Sequence, residues 1–182
     1  AEIEILKSRL VLGSVIDHLN LNIRVSGTED SFWNRLIAKH EYDSEYSGKS
    51  VLFKDNQKSF DVRSFDIPDY YRDKNLLLRF SQGKFSLTDS ATEQVVFSAP
   101  LNQTSQLQSE YGLWKVGIYS QDSFDSTYLI QKQSLPAAVR SLLADYSVAE
   151  KGKMTGVLGL NYQGTDKQHI TQVLNAILAA YS

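Results

Sequence analysis

A strand, a tight turn and an amphipathic helix are encoded by the stretch Met154-Thr-Gly-Val-Leu-Gly-Leu-Asn-Tyr-Gln-Gly-Thr-Asp-Lys-Gln-His-Ile-Thr-Gln-Val-Leu-Asn-Ala-Ile-Leu-Ala-Ala-Tyr181. Up to Tyr162, apolar residues alternate with more polar ones, which is the period of a half-buried strand. Gly164 allows the turn, and Thr165-x-x-Gln168 has the spacing of a capping box, so a helix is predicted to begin there. Its apolar residues recur at intervals of three and four and form one buried stripe: Ile170, Val173, Leu174, Ile177, Leu178 and Tyr181.

The opening of the chain has the same two elements in reverse order. A helix is predicted from Ala1 to about Asn20, because four apolar residues fall on one face of it: Ile5, Leu12, Ile16 and Leu19. The alternating segment Leu21–Val25 then predicts a strand. The first helix has no start cap and the last has no stop signal, so we expect both to continue in a longer protein. We also expect these two helices to pack together or on the same sheet face, since each needs a partner for its apolar stripe.

The centre of the chain is rich in β-forming residues. Six segments predict strands: Phe60–Phe65, Leu76–Ser81, Lys84–Thr88, Gln94–Ser98, Leu113–Tyr119 and Ser126–Lys132. Ile67-Pro68 ends the first strand, because proline has no N–H to donate, and Gln82-Gly83 predicts a hairpin turn. Ser134-Leu-Pro136 then predicts the start of another helix, with a buried stripe of Val139, Leu142, Leu143 and Tyr146.

One central region has a weak pattern. Between Thr28 and Gln57, polar residues surround scattered aromatic ones, and we expect a surface excursion there with a short helix near Ser31–Ala38. The predicted class is therefore α+β, with helices from both chain ends packed on a mainly antiparallel sheet. A length of 182 residues fits one domain, which we place at residues 1–182.

Composition excludes several kinds of function. A formal net charge of -2 offers no basic field, so binding to nucleic acid is not expected. The absence of cysteine excludes disulfides, thiol catalysis and Cys-ligated metals. No apolar run approaches the roughly 20 residues that a membrane-spanning helix needs, so we expect any membrane segment to lie outside this chain.

Motifs for catalysis or cofactor binding are missing from the sequence. Gly48-Lys49-Ser50 resembles the end of a phosphate-binding loop, but Asp43 stands where that motif needs glycine. The histidines do not have metal-ligand spacing; they are His18, His40 and His169. Five carboxylates could act as acid–base pairs or calcium ligands, but we interpret them as residues of solvated turns: Asp66, Asp69, Asp73, Asp122 and Asp125. We therefore predict no catalytic, cofactor-binding or metal-binding residue.

Aromatic residues in the poorly patterned segments are the remaining candidates for a site. An aromatic ring offers an apolar face and, in tyrosine, a hydrogen-bonding tip, which suits contact with sugar rings. The candidates for sugar contact are Trp33, Tyr42, Tyr46, Tyr70 and Tyr71.

Several segments resemble, in the same order, the periplasmic domain of the bacterial polysaccharide co-polymerases, the Wzz and Wzc chain-length determinant proteins. The opening Glu2-Ile-x-x-Leu-Lys-Ser-Arg9 is more similar to the Wzc-type branch, whose members carry a cytoplasmic tyrosine autokinase. The other matching segments are Ser59–Pro68, Tyr146–Lys153 and Thr155–Leu160, together with Gly164, Asp166, Leu174-Asn175 and Tyr181.

This resemblance implies a non-catalytic periplasmic domain of an inner-membrane protein. Copies of the protein would form rings that regulate the chain length and export of capsular polysaccharide or exopolysaccharide. The resemblance also implies a polysaccharide polymerase and an outer-membrane export protein as partners, and kinase activity only for the longer protein. We expect this chain alone to be monomeric or weakly associated. The expected contact surfaces are Thr28–Gln57 and the outer face of the first helix, with Glu4, Lys7 and Asp17.

Two alternatives stay open at this point. The first is an extracytoplasmic carbohydrate-binding module, which would use the aromatic candidates named above as its site. The second is a small hydrolase, which would need an acid–base pair such as Asp66 and Asp69.

Overall fold

Two helices and eleven strands make up the described part of the chain, which in the computed structural model comprises residues 2–28, 40–150 and 160–161. Helix α1 spans Glu2–Leu19 and helix α2 spans Leu135–Glu150. The strands are β1 Ile23–Gly27, β2 Tyr42–Tyr46, β3 Val51–Asp55, β4 Lys58–Asp66, β5 Leu76–Ser81, β6 Lys84–Asp89, β7 Val95–Pro100, β8 Gln103–Ser109, β9 Gly112–Tyr119, β10 Tyr128–Lys132 and β11 Leu160–Asn161. A 3₁₀ turn, Asp69–Tyr71, follows β4.

The strands form two sheets, where the sequence predicted one. A five-stranded sheet has the order β1-β10-β5-β6-β7, and a six-stranded sheet has the order β11-β2-β3-β4-β9-β8. The described pairings are antiparallel, except that β11 runs parallel to β2. The predicted α+β class with mainly antiparallel pairing is confirmed, and the single sheet is wrong. Periodicity shows which side of a strand is buried, but not whether a helix or a second sheet covers that side.

The core lies between the inner faces of the two sheets. Phe53 and Phe60 from the six-stranded sheet each lie 5.4 Å, between ring centroids, from Tyr128 of the five-stranded sheet. At another point in the core, Trp114 of β9 stacks on Phe97 of β7 at 5.5 Å. Strand β3 alternates between buried and half-buried residues, which places one of its faces in this core.

Helices α1 and α2 contact one another. Leu12, Ile16 and Leu19 of α1 are buried, as the spacing predicts. Gly13 of α1 faces the side chain of Leu135, the first residue of α2. The predicted cap of α2 is confirmed, because the N–H of Ala137 donates to Oγ of Ser134 at 3.4 Å. Leu160–Asn161 confirms part of the predicted closing strand, and the turn and helix that follow lie outside the described residues.

The predicted surface excursion between Thr28 and Gln57 is wrong for residues 42–55. These residues form the β2–β3 hairpin of the six-stranded sheet, with Tyr46, Val51 and Phe53 buried. The buried inward position of β2 at Ser44 is polar, so the strand lacks the apolar alternation that marks a half-buried strand. The short helix expected near Ser31–Ala38 lies outside the described residues.

The segment that resembled a phosphate-binding loop is the turn of this hairpin. The Oγ of Ser47 accepts the N–H groups of Lys49 and Ser50, both at 3.2 Å. The N–H of Ser47 in turn donates to the carbonyl of Ser50 at 3.0 Å. These hydrogen bonds join groups within the turn, as expected for a polar hairpin loop.

Candidate functional site

Tyr70 and Tyr71 lie in the 3₁₀ turn that begins after Pro68. The N–H of Tyr71 donates to the carbonyl of Pro68 at 2.9 Å, and this tight turn sends the two neighbouring side chains in different directions. Tyr71 is 6% exposed and belongs to the core, whereas Tyr70 is 49% exposed. The turn therefore presents one tyrosine to solvent and holds it against a buried one.

Tyr70 is the middle layer of a three-layer stack, which we call the tyrosine stack: Lys74, Tyr70 and Tyr111. The ring of Tyr111, from the turn between β8 and β9, lies parallel to Tyr70 at a centroid distance of 4.1 Å and an angle of 7°. The ammonium of Lys74 lies 3.4 Å from the centroid of Tyr70, within the range of a cation–π contact. Because both neighbours are so close, they must cover opposite faces of Tyr70.

Buried rings support the tyrosine stack from below. Tyr71 meets Tyr70 edge-on at 4.9 Å and Tyr111 edge-on at 5.8 Å. Tyr71 packs in turn on Trp114 at 5.0 Å, which places the stack directly on the core between the sheets. These edge-to-face and stacked arrangements are the favourable geometries for aromatic pairs.

Hydrogen bonds to Ser109 fix the turn that carries Tyr111. The Oγ of Ser109 donates to the carbonyl of Gly112 at 2.8 Å and accepts the N–H of Tyr111 at 3.3 Å. The indole N–H of Trp114 also donates to this oxygen, at 3.3 Å. Gly112 has a φ of 132°, a conformation that a residue with a Cβ rarely adopts, so the turn depends on glycine at this position.

Nearby charge and burial raise the pKa of two tyrosines at this site, Tyr111 and Tyr71. The pKa of Tyr111 is raised, first by the nearby Glu110 carboxylate and then by Tyr70. The pKa of Tyr71 is raised mainly by burial and next by Tyr111. A tyrosine hydroxyl is protonated at neutral pH even at its usual pKa of about 10, so both tyrosines can donate hydrogen bonds.

The other aromatic candidates are placed elsewhere. Tyr46 is buried on β2, and its hydroxyl donates to the carbonyl of Ile23 at 2.9 Å. Tyr42, also on β2, is half-buried between the rings of His40 and Phe53, at 5.5 and 5.6 Å. Strands β3 and β4 separate β2 from β9, so the structure brings Tyr70 and Tyr71 together but not with Tyr42 or Tyr46. Trp33 lies outside the described residues.

Close packing of Tyr42 against Gly27 gives a direct test of its position. A Cβ at Gly27 would overlap the hydroxyl and ring of Tyr42. We expect Gly27→Ala to displace this ring and to lower the free energy of unfolding by about 1–3 kcal/mol. The measurement is urea unfolding, with Ser26→Ala on the same strand as the control. Equal stability of the two variants would contradict the packing described here.

A buried carboxylate links the two sheets. Asp55, at the end of β3, is 6% exposed. Its Oδ2 accepts the hydroxyl of Tyr128 at 2.5 Å, and its Oδ1 lies 2.8 Å from Nδ1 of His40. Burial, and then Asp55, raise the pKa of Tyr128 well above its usual value. We call these three residues the Asp55 network, and all of them line a cleft of about 260 Å³.

A larger cleft of about 410 Å³ opens where three loops meet, and we call it the loop-end cleft. Its wall includes the Gln82-Gly83 turn, Asn102 and the 120–125 loop, above the rings of Phe80 and Phe124. The loop is fixed in place, because Asn102 Oδ1 accepts the N–H of Ser120 at 2.9 Å. Amide, hydroxyl and carboxylate groups make up the polar lining, so this cleft offers both donors and acceptors of hydrogen bonds. The tyrosine stack and this cleft lie at opposite ends of β4 and β9.

Four of the five carboxylates that could have formed acid–base pairs have structural partners within the protein. Asp69 pairs with Arg72 at 3.0 Å, and Asp66 lies 4.0 Å from the ammonium of Lys132. Asp73 and Asp122 accept backbone N–H groups, from Ser134 at 2.8 Å and from Ser59 at 2.9 Å. These contacts agree with the prediction of turns. Within residues 2–28, 40–150 and 160–161, no group of three potential ligands could hold a metal ion. Neither described helix is both long and apolar enough to cross a membrane.

Comparison with known proteins shows which class of protein the chain is similar to. No family model matches the sequence. Over all 182 residues the chain is 63% identical to the tyrosine-protein kinase ptk of Acinetobacter johnsonii, and it covers 25% of that protein. It is 29% identical to the tyrosine-protein kinase wzc of Salmonella typhimurium and 26% identical to the putative tyrosine-protein kinase EpsB of Ralstonia solanacearum. Those alignments also include the whole chain and cover 23% and 24% of the relatives.

The chain is therefore homologous to a segment of bacterial protein-tyrosine kinases. Within that class its homologues are of the Wzc, Ptk and EpsB type, which confirms the resemblance to Wzc-type proteins. The chain spans about a quarter of the length of the curated relatives it matches. Among solved structures, the flagellar hook junction protein FlgK of Burkholderia pseudomallei aligns with 74% of the chain at 14% identity and a TM-score of 0.31, which establishes no common fold.

Proposed function

We propose that this chain is the periplasmic domain of a Wzc-type polysaccharide co-polymerase and forms a single domain over residues 1–182. The observation that carries the proposal is the match of the whole chain, at 63% identity, to one tyrosine-protein kinase and, at lower identity, to wzc and EpsB. In this role the domain lies outside the inner membrane, held by membrane segments beyond the chain. It takes part in rings that regulate the chain length and export of capsular polysaccharide or exopolysaccharide.

The domain itself is proposed to be non-catalytic, while the longer protein is a tyrosine kinase. Support comes from the carboxylates named above, because ion pairs and backbone hydrogen bonds engage Asp66, Asp69, Asp73 and Asp122. A hydrolase would need a carboxylate pair free to exchange protons with a substrate. The proposed partners are further copies of the protein, a polysaccharide polymerase and an outer-membrane export protein.

A domain exchange in the full-length kinase tests this proposal. Replacing residues 1–182 by an unrelated periplasmic domain should leave kinase autophosphorylation detectable but should shorten, lengthen or abolish the exported polymer. Replacing them by the homologous segment of the Acinetobacter johnsonii kinase should preserve export, because that segment is 63% identical. The readouts are an anti-phosphotyrosine blot and gel separation of the polymer by length. Unchanged polymer length and amount with the unrelated domain would overturn the proposal.

A carbohydrate-binding module is the second candidate, and a specific observation favours it. Tyr70 and Tyr111 form an exposed parallel pair on a buried aromatic support. Core packing does not require aromatic rings at exposed positions, so an exposed pair of rings favours a role in binding. This function is compatible with the co-polymerase role, since a domain that regulates polymer length must respond to the polymer.

A further inference from the structure

We propose that the outer ring face of Tyr111 binds a neutral hexose unit of a polysaccharide chain, with Glu110 and the tyrosine hydroxyls as its polar contacts. The inference rests on the proposed polysaccharide role of the domain. Tyr111 was not among the sequence candidates; it becomes one only because the β8–β9 turn places it on Tyr70.

Geometry selects Tyr111 rather than Tyr70 as the contact surface. Both faces of Tyr70 are occupied, one by Tyr111 and the other by the ammonium of Lys74. Tyr70 therefore offers a ligand only its edge. Tyr111 uses one face on Tyr70 and is 46% exposed, which leaves its opposite face to solvent. The stack accordingly ends in an open aromatic surface about one ring wide.

Rigid support makes this open surface suitable for weak binding. The turn of Tyr111 is fixed by the hydrogen bonds of Ser109, and the ring rests on Tyr70 and on the edge of Tyr71. Little side-chain entropy remains to be lost when a ligand packs on such a ring. The buried contact of Tyr71 with Trp114 continues the support into the core.

The chemistry around the ring matches a sugar. A hexose ring has an apolar C–H face that packs on an aromatic ring and a rim of hydroxyl groups that donate and accept hydrogen bonds. Glu110 precedes Tyr111 in the chain, and its carboxylate, the first cause of the raised pKa of Tyr111, can accept hydrogen bonds, while the tyrosine hydroxyl can donate one. The carboxylate beside the ring repels an acidic sugar, which is the reason for naming a neutral one.

Affinity for one sugar is expected to be weak. A single ring contact with one or two hydrogen bonds corresponds to a Kd on the order of 1 mM. A polymer presents the same unit many times, and neighbouring copies of the protein would present the site many times, so binding in the assembly is strengthened by multivalency. A weak site of this kind allows a growing chain to slide past the domain.

Affinity electrophoresis of the full 182-residue chain tests the site. The gel contains neutral polysaccharide purified from the producing strain, and retardation is measured against polymer concentration. Tyr111→Ala should weaken retardation about five- to tenfold, and Tyr111→Phe, which keeps the ring, should weaken it about twofold at most. Leu113→Ala, an exposed apolar control two residues away, should be retarded like the unchanged chain. Thermal unfolding of each variant verifies that it is folded.

Each contrary outcome overturns the inference in a recognisable way. Retardation that survives Tyr111→Ala but is lost in Asn102→Ala would place the sugar in the loop-end cleft. Retardation that is equal in all variants, with self-association lost only in Tyr111→Ala, would make the stack a protein interface. Absence of retardation for the unchanged chain would also refute the site. None of these results affects the domain exchange in the kinase, which tests the co-polymerase role separately.

Discussion

Replacing Trp114 with alanine should lower the free energy of unfolding by about 3–5 kcal/mol, the range for removing a buried large aromatic side chain. Trp114 is 1% exposed and joins the two sheets by stacking on Phe97 at 5.5 Å. It also supports Tyr71 and donates its indole N–H to Ser109. The substitution therefore leaves a cavity between the sheets and also removes the ring on which Tyr71, the support of the tyrosine stack, is packed.

Chemical unfolding monitored by far-ultraviolet circular dichroism measures this loss. Leu113→Ala is the matched control, because Leu113 precedes Trp114 on the same strand but is 50% exposed, and its change should stay within about 0.5 kcal/mol. A loss below about 1 kcal/mol for Trp114→Ala would mean that the two sheets are not held together at this ring.

Removing the Asp55 carboxylate should lower the free energy of unfolding by about 2–4 kcal/mol, since hydrogen bonds to a charged group contribute about 1.5–3 kcal/mol each. In Asp55→Ala, the buried hydroxyl of Tyr128 loses its acceptor and His40 loses its carboxylate partner. Tyr128→Phe removes one bond and should cost less, about 1–3 kcal/mol. A double-mutant cycle between the two positions isolates their interaction, and additive losses would contradict a direct bond.

The Asp55 network also predicts how stability changes in alkali. Burial and Asp55 raise the pKa of Tyr128 in the folded protein, so its contribution is present below the usual tyrosine pKa of about 10 and is lost as the pH rises above it. Lys132 acts in the opposite direction, because burial lowers its pKa and the unfavourable charge is removed as the pH rises. Comparison of the unchanged chain with Tyr128→Phe cancels the lysine effect. The variant should lose stability less steeply above about pH 10, and parallel curves would refute the assignment.

The sequence predicts elements well where one face of a strand or helix is apolar. Strand β5 begins and ends at the predicted residues, and the Gln82-Gly83 turn joins β5 to β6 as expected. Strands β2 and β8 were missed because polar residues occupy positions where alternation would need apolar side chains, and β3 was missed as well, although its inward residues Val51 and Phe53 are apolar. Strand β8 has no buried side chain, so its backbone hydrogen bonds to β9 determine its structure, whereas β2 also buries the side chains of Ser44 and Tyr46.

The candidate site could be predicted only in part. Tyr70 and Tyr71 stand out in the sequence as aromatic residues in a poorly patterned segment. Tyr111 gives no comparable signal, although the following Gly112 with its positive φ marks a turn. The contact between Tyr70 and Tyr111 follows from the pairing of β9 with β4, which places Lys115 opposite Asp66 and so joins two distant turns at one edge. Sequence periodicity contains no information about that register.

The pairing of β1 with β10 has a consequence for how the domain folds. Ile23 lies opposite Lys132, so the first strand has no neighbour in its sheet until almost the entire central region has been synthesised. Hairpins such as β5–β6 and β8–β9 join strands that are close in sequence and can form earlier. Closing such a long loop is slow, because its entropic cost is incurred before the contacts form. We therefore expect a chain that stops before Tyr128 to lack strand β10. Strand β1 then has no strand to pair with in its sheet, and it is prone to aggregation.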